Sequence, residues 1–136
     1  MANTVTKKRI SSSVKTLLVE NDATTLNGST YVAIIDAVNV ESYDRASIQV
    51  LSNDEDGGLT CQVWGSLFDA AAALPVTNSK WVQIGDDVVV TASSGSMKSI
   101  ATTALRLLAV TVKATDGSSS ETITAGDCKV FLQGTI

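Results

Sequence analysis

Four groups of side chains in this sequence could do chemistry: two cysteines, two carboxylate clusters, two tryptophans and a short basic run near the start. Histidine is absent. Ser–His–Asp and Cys–His arrangements are therefore excluded, as are histidine metal sites. Cys61 and Cys128 each sit in a strand-like run, Thr60-Cys61-Gln62-Val63 and Cys128-Lys129-Val130-Phe131. A thiol so placed behaves as a small apolar side chain, and two distant cysteines alone cannot build a structural zinc site. Two buried, reduced thiols are expected, with a single bridge or a reactive site as the alternative. The sequence has no phosphate-cradling glycine loop and no G-x-G-x-x-G at a strand-to-helix turn, so no cofactor is expected.

The carboxylates are Asp54-Glu55-Asp56 and Asp86-Asp87. Neighbours in a strand point to opposite faces, so Asp86 and Asp87 cannot act as a matched acid/base pair if extended. After Gly85 they read as solvated turn groups. The run Asp54 to Asp56 could offer oxygens to calcium, but it lacks the alternating Asp pattern and the distal Glu of a calcium loop. It reads as an acidic turn. Nothing pairs two distant acids for glycoside hydrolysis. Trp64 and Trp81 could stack on sugars, yet packing in a core or an interface is the commoner fate of tryptophan in a small sandwich.

The bases are unevenly distributed. Lys7, Lys8, Arg9 and Lys15 are the only charged residues before Glu20, a net of +4. The remaining six basic and fourteen acidic residues leave −8 on the rest. This suggests a basic arm on an acidic body, either a solvated tail or a segment that docks on an acidic surface by salt-sensitive attraction. Three adjacent bases are too few to argue for nucleic acid. No stretch approaches the ~20 apolar residues of a membrane-spanning helix. The first residues do not form a secretion signal, so synthesis and assembly in the cytoplasm are expected.

The elements that must position these groups are short strands. A chain of 136 residues, 44% hydrophobic and 18% charged, suits one folded domain with its own core. Six aromatic residues leave that core mostly aliphatic. Val14 to Val19 reads as a first strand, ended by Glu20-Asn21-Asp22, and Asn27-Gly28-Ser29 as a turn. Tyr31 to Ala37 follows as a strand. Arg45 to Leu51 alternates with period two, and Asn53 to Gly58 is a glycine-rich turn. Leu59 to Leu67 then reads as its hairpin partner, with Cys61, Val63 and Leu67 on one face and Gln62, Trp64 and Ser66 on the other. Gly65 in mid-strand suggests a bulge or a close approach. Phe68 to Leu74 has helical propensity but, before Pro75, is long enough only for a turn. Lys80 to Ile84, Asp86 to Ala92, and Met97 to Ala101 after a Ser93–Ser96 turn are further strands. Ala104 to Ala114, apolar on both faces, is expected to be central in a sandwich or at an interface. Glu121 to Ala125 and Asp127 to Gln133 complete the set.

No long amphipathic helix separates these strands, which argues against a parallel α/β sheet. The expected fold is all-β: an antiparallel two-sheet sandwich, jelly-roll-like rather than immunoglobulin-like, over residues 14–136, with an extended N-terminal arm over 1–13.

Arg45-Ala46-Ser47-Ile48-Gln49-Val50 and Val63-Trp64-Gly65-Ser66-Leu67-Phe68-Asp69 flank an acidic glycine-rich turn. Trp81-Val82-Gln83-Ile84 and the strand from Leu105 to Val112 follow. From about Arg45 onward this order resembles the small β-sandwich accessory proteins of tailed bacteriophages, notably the capsid decoration (cement) proteins. The resemblance rests on the order of strands and carries no catalytic motif. It implies a jelly-roll-like body, often trimeric, seated where major capsid protein subunits meet on the virion surface, with an extended arm clasping neighbours. Val5, Lys7, Lys8, Arg9 and Ile10 are the expected arm contacts: the Thr and Val residues of this stretch can add a strand to an exposed edge, and the net charge of +4 over the first fifteen residues favours an acidic lattice. The expected function is therefore non-enzymatic and structural, with no nucleic-acid or membrane partner. The rivals are a tail, baseplate or fibre module, and a carbohydrate-binding sandwich that would expose Trp64 or Trp81 beside polar groups. A carboxylate hydrolase would need a cleft with two facing acids.

Overall fold

Alternation of apolar and polar residues over stretches of about eight residues dictates strands that bury one face each, and two sheets are the way to satisfy them. The structure is a computed structural model that describes residues 17–22, 26–53, 57–67, 80–115, 122–123 and 128–135. Every regular element among the described residues is a strand: β1 (Leu17–Asp22), β2 (Leu26–Asn27), β3 (Val32–Asn39), β4 (Arg45–Ser52), β5 (Leu59–Ser66), β6 (Val82–Gln83), β7 (Val88–Val90), β8 (Ser94–Ala101), β9 (Leu107–Ala114), β10 (Thr122–Ile123) and β11 (Cys128–Thr135).

One sheet has four strands in the order β1-β11-β4-β8. The facing sheet has the order β3-β9-β5-β6, with β7 also paired to β5. All the pairings are antiparallel. β2 and β10 form a separate short ribbon. With β6 and β7 taken as one interrupted strand, every step between consecutive long strands changes sheet except β5 to β6. Eight strands wound in this way make a jelly roll, as expected over an immunoglobulin-like order.

The core lies between the sheets and is aliphatic. Ala46, Ile48 and Val50 of β4 and Val130 and Leu132 of β11 face Cys61 and Val63 of β5 and Leu108, Val110 and Val112 of β9, all essentially inaccessible. β9 is buried on its second face too, where Leu107 and Ala109 pack with Trp81, Ala37 and Trp64. The two-sided apolar pattern of β9 is thus that of a central strand, flanked by β3 and β5.

Several expectations need correction. β4 and β5 are not a hairpin: they belong to opposite sheets, and the connection between them crosses the sandwich. Both strands bury a full apolar face, which facing sheets satisfy and a lone hairpin does not. Ser52 Oγ donates to the Gly57 carbonyl (2.7 Å) on the far side of that crossing. β1 continues through Glu20-Asn21-Asp22, because each is paired with β11, Asp22 opposite Lys129. Ladder pairing overrides the local turn preference of those residues. β8 begins at Ser94, not Met97, since it pairs with β4 along its whole length and the turn is confined to Ala92 and Ser93. Ser93 holds a left-handed φ of 52° there. Leu67 does not share the buried face of Cys61 and Val63. It is 67% exposed, because the strand ends at Ser66 and the alternation stops with it. The expected turn at Asn27 is present: its side-chain oxygen accepts from the Ser29 and Thr30 amides at 2.9 and 3.1 Å. The expected strands at 80–84 and 86–92 are present as the shorter β6 and β7. The segments 54–56, 68–79 and 116–121 lie outside the described residues, and with them the acidic turn and the helical turn.

Candidate functional site

The arm residues Val5, Lys7, Lys8, Arg9 and Ile10 lie outside the described residues. The other chemistry-bearing groups are placed by the two sheets. Cys61 on β5 and Cys128 on β11 point into the core from opposite sheets, both buried and free of any disulfide. Burial, reinforced by the neighbouring Cys128, pushes the Cys61 thiol up to about 12. A thiol so far from ionising is no nucleophile at neutral pH. Among the described residues, no group of three or more His, Cys, Asp or Glu is placed to hold a metal.

Asp86 and Asp87 occupy the exposed turn between β6 and β7, as expected. Gly85 makes that turn with φ +72°. Lys98 reaches across from β8 to donate to the carbonyls of Ile84 (2.8 Å) and Asp86 (3.0 Å), tying an edge of one sheet to the turn of the other. A Cβ on Gly85 would lie 2.7 Å from that ammonium and displace it, and the left-handed φ favours glycine there.

Asp87 Oδ1 does something the sequence did not reveal. It accepts from two side-chain amides, Gln83 Nε2 at 2.7 Å and Gln62 Nε2 at 3.2 Å. Gln62 and Trp64 share the outer face of β5, and Gln83 lies directly opposite Trp64. The half-buried Trp64 donates its indole N–H to Thr111 Oγ1 (3.0 Å) on β9, and Thr111 is opposite Gln62. On the far side of the same face, the Lys113 ammonium sits 4.9 Å from the centre of the Tyr31 ring. Burial raises the Tyr31 hydroxyl above its ordinary value, with the Asp87 carboxylate as the next cause. Strand register alone brings these residues together, and register is not readable from residue types. Trp81, by contrast, is buried behind Leu107 and offers no stacking surface.

The remaining notable surface is apolar. Leu67 and Val82, both more than 60% exposed, flank a shallow groove at one end of the sandwich that Gly65, Lys80 and Leu105 complete. Gly65 is the close approach its position suggested. A Cβ there would meet Ile84 Cδ1 at 2.7 Å and Leu105 Cδ2 at 2.8 Å.

No protein-family model and no characterised protein matches the chain by sequence. Among solved structures, it is similar to a chain of the Bacillus endospore appendages, which form disulfide-linked pili. The identity is 16% and the TM-score 0.41, over 90% of this chain and 87% of that one. It is also similar to the Tobacco streak virus coat protein, at 9% identity and TM-score 0.41, over 89% of this chain and 85% of the other. The dimer structure of that coat protein aligns at 10% identity and TM-score 0.35, over 88% and 85%. Likenesses at this level carry no functional argument, and the jelly-roll assignment rests on the strand order described above.

Proposed function

We propose that this protein is a non-enzymatic structural component of a virion: an oligomeric capsid decoration protein, with a trimer favoured, that binds across major capsid protein junctions and stabilises the head. The observation that carries the reading is the strand order, a complete jelly roll of the kind that the resemblance to cement proteins implies. Among the described residues both thiols are buried in the core, and Asp86 and Asp87 stand at a solvated turn. Exposed Leu67 and Val82 offer an apolar contact between copies.

The segregation of charge supplies the rest. A +4 segment ahead of a −8 remainder suits an arm that reaches an acidic neighbour, with Val5, Lys7, Lys8, Arg9 and Ile10 in contact. Several arms and faces joined in one oligomer gain effective concentration, so individually weak contacts hold firmly. Binding only to the assembled shell stabilises that shell by mass action. In this reading the protein is made in the host cytoplasm and ends on the capsid surface.

The test is light scattering on the full chain, followed by co-sedimentation with empty heads at low and moderate salt. A trimer that co-sediments, more weakly as salt rises, is expected. Deleting residues 1–13 should abolish head binding and leave the melting temperature unchanged. A monomer without affinity for heads overturns the proposal.

A further inference from the structure

We propose that the outer face of the four-stranded sheet is the surface that lies against the capsid shell, and that it fits a flat protein surface of net negative charge. This deepens the capsid reading and rests on it. The strand register defines the face. Across β11, β4 and β8 its two middle rows are Gln133-Ser47-Ser99 and Phe131-Gln49-Met97. Neither row carries a charge. Met97 is 64% exposed and Phe131 is half-buried, and both border a shallow depression completed by Ser47, Gln49 and Gln133. A strip without charge that holds an aromatic ring and a methionine has the composition of the centre of a protein interface. The flexible thioether adapts to what it meets.

Charge separates this sheet from the other. β4, β8 and β11 contain no carboxylate, and the acids of the sheet, Glu20 and Asp22, are confined to its β1 edge. The five-stranded sheet instead presents exposed Asp36 on β3 and the Asp86-Asp87 turn. An acidic shell, which the +4 arm suits, is therefore repelled by one sheet and accepted by the other. The arm is joined to the accepting sheet, since residue 16 leads into β1 at Leu17, opposite Gly134 of β11. One partner can engage the arm and this face together. The area fits an oligomer. Three strands of eight residues present about 400 Å², half of the roughly 800 Å² that one side of a stable complex contributes. A single face binds weakly, and three linked in a trimer suffice. Leu67 and Val82 lie at the end of the sandwich, clear of this face, and remain available for contact between copies.

The test is co-sedimentation of full-chain variants with empty heads. Met97→Glu and Ser47→Glu place a carboxylate in the middle rows, and each should weaken head binding at least tenfold. Val89→Glu makes the same change of charge at a 58% exposed position on the other sheet, and should bind as the unaltered protein does. Unchanged melting temperatures and an unchanged mass by light scattering will show that fold and oligomer persist. If the unaltered protein binds heads and the Met97 and Ser47 variants bind equally well, the inference falls while the capsid reading stands. An equal loss in Val89→Glu also overturns it, because the effect is then one of net charge. So does a change of oligomeric mass in Met97→Glu and Ser47→Glu, which would assign the face to contact between copies. If the unaltered protein fails to co-sediment, the capsid reading itself falls and takes this inference with it.

Discussion

Cys61 illustrates how position decides the chemistry of a residue in this protein. Its sulfur lies between the sheets, where the thiolate has no water to solvate it, and its pKa rises from 9.0 to about 12. The unfolded chain, with the ordinary value, loses this proton first as pH rises. Between pH 9 and 12 the folded state therefore binds more protons than the unfolded one, and stability must fall across that window. Cys61→Ala should flatten the decline in chemical denaturation measured along a pH series, and a thiol reagent at neutral pH should label neither cysteine until the protein unfolds. Gly85 gives a second prediction. Its left-handed φ is strained for any side chain, and a Cβ would push the Lys98 ammonium aside, so Gly85→Ala should cost about 1–3 kcal/mol in urea denaturation. The residue types at 86 and 87 declared a solvated turn correctly. The two glutamines bound to Asp87 were not legible, because they come from strands whose register is set by packing many residues away.

At the scale of the element, β9 and β4 show which patterns can be read and which cannot. Apolar residues on both faces of β9 announced a strand covered twice, and the structure buries it between β3 and β5, with Trp81 over its outer side. The acidic, glycine-rich stretch after β4 announced a change of direction equally well. It gave no sign that the chain also changes sheet, because glycine and aspartate serve a hairpin and a crossover alike. The edges of the sheets are managed by different devices. β3 is bulged twice against β9, β6 and β7 are short and interrupted, and β8 carries Lys98, turned inward onto carbonyls. Such features discourage pairing with stray strands. The energetic centre lies elsewhere. Leu132→Ala on β11, at a position with no solvent exposure, should destabilise the protein by about 2–5 kcal/mol in thermal or chemical denaturation. A change at exposed Met97 of β8 should stay within about 0.5 kcal/mol.

At the scale of the whole molecule, the fold class followed from strand number and the lack of long helices, while strand order needed the three-dimensional structure. The jelly roll joins segments far apart in the chain: β3 pairs with β9, and β1 with β11. Non-local pairing of this kind slows folding, and refolding should take milliseconds to seconds in stopped-flow fluorescence rather than microseconds. The place of β11 has a consequence for synthesis. It stands between β1 and β4 and supplies the inner edge that each of them pairs with. While a ribosome is still translating toward residue 128, β1 has been in existence for most of the chain and has no strand to lie against. The four-stranded sheet can close only after Cys128–Thr135 leaves the exit tunnel. A nascent chain stalled before that strand should therefore leave β1 protease-sensitive, with the inner edge of β4 unpaired.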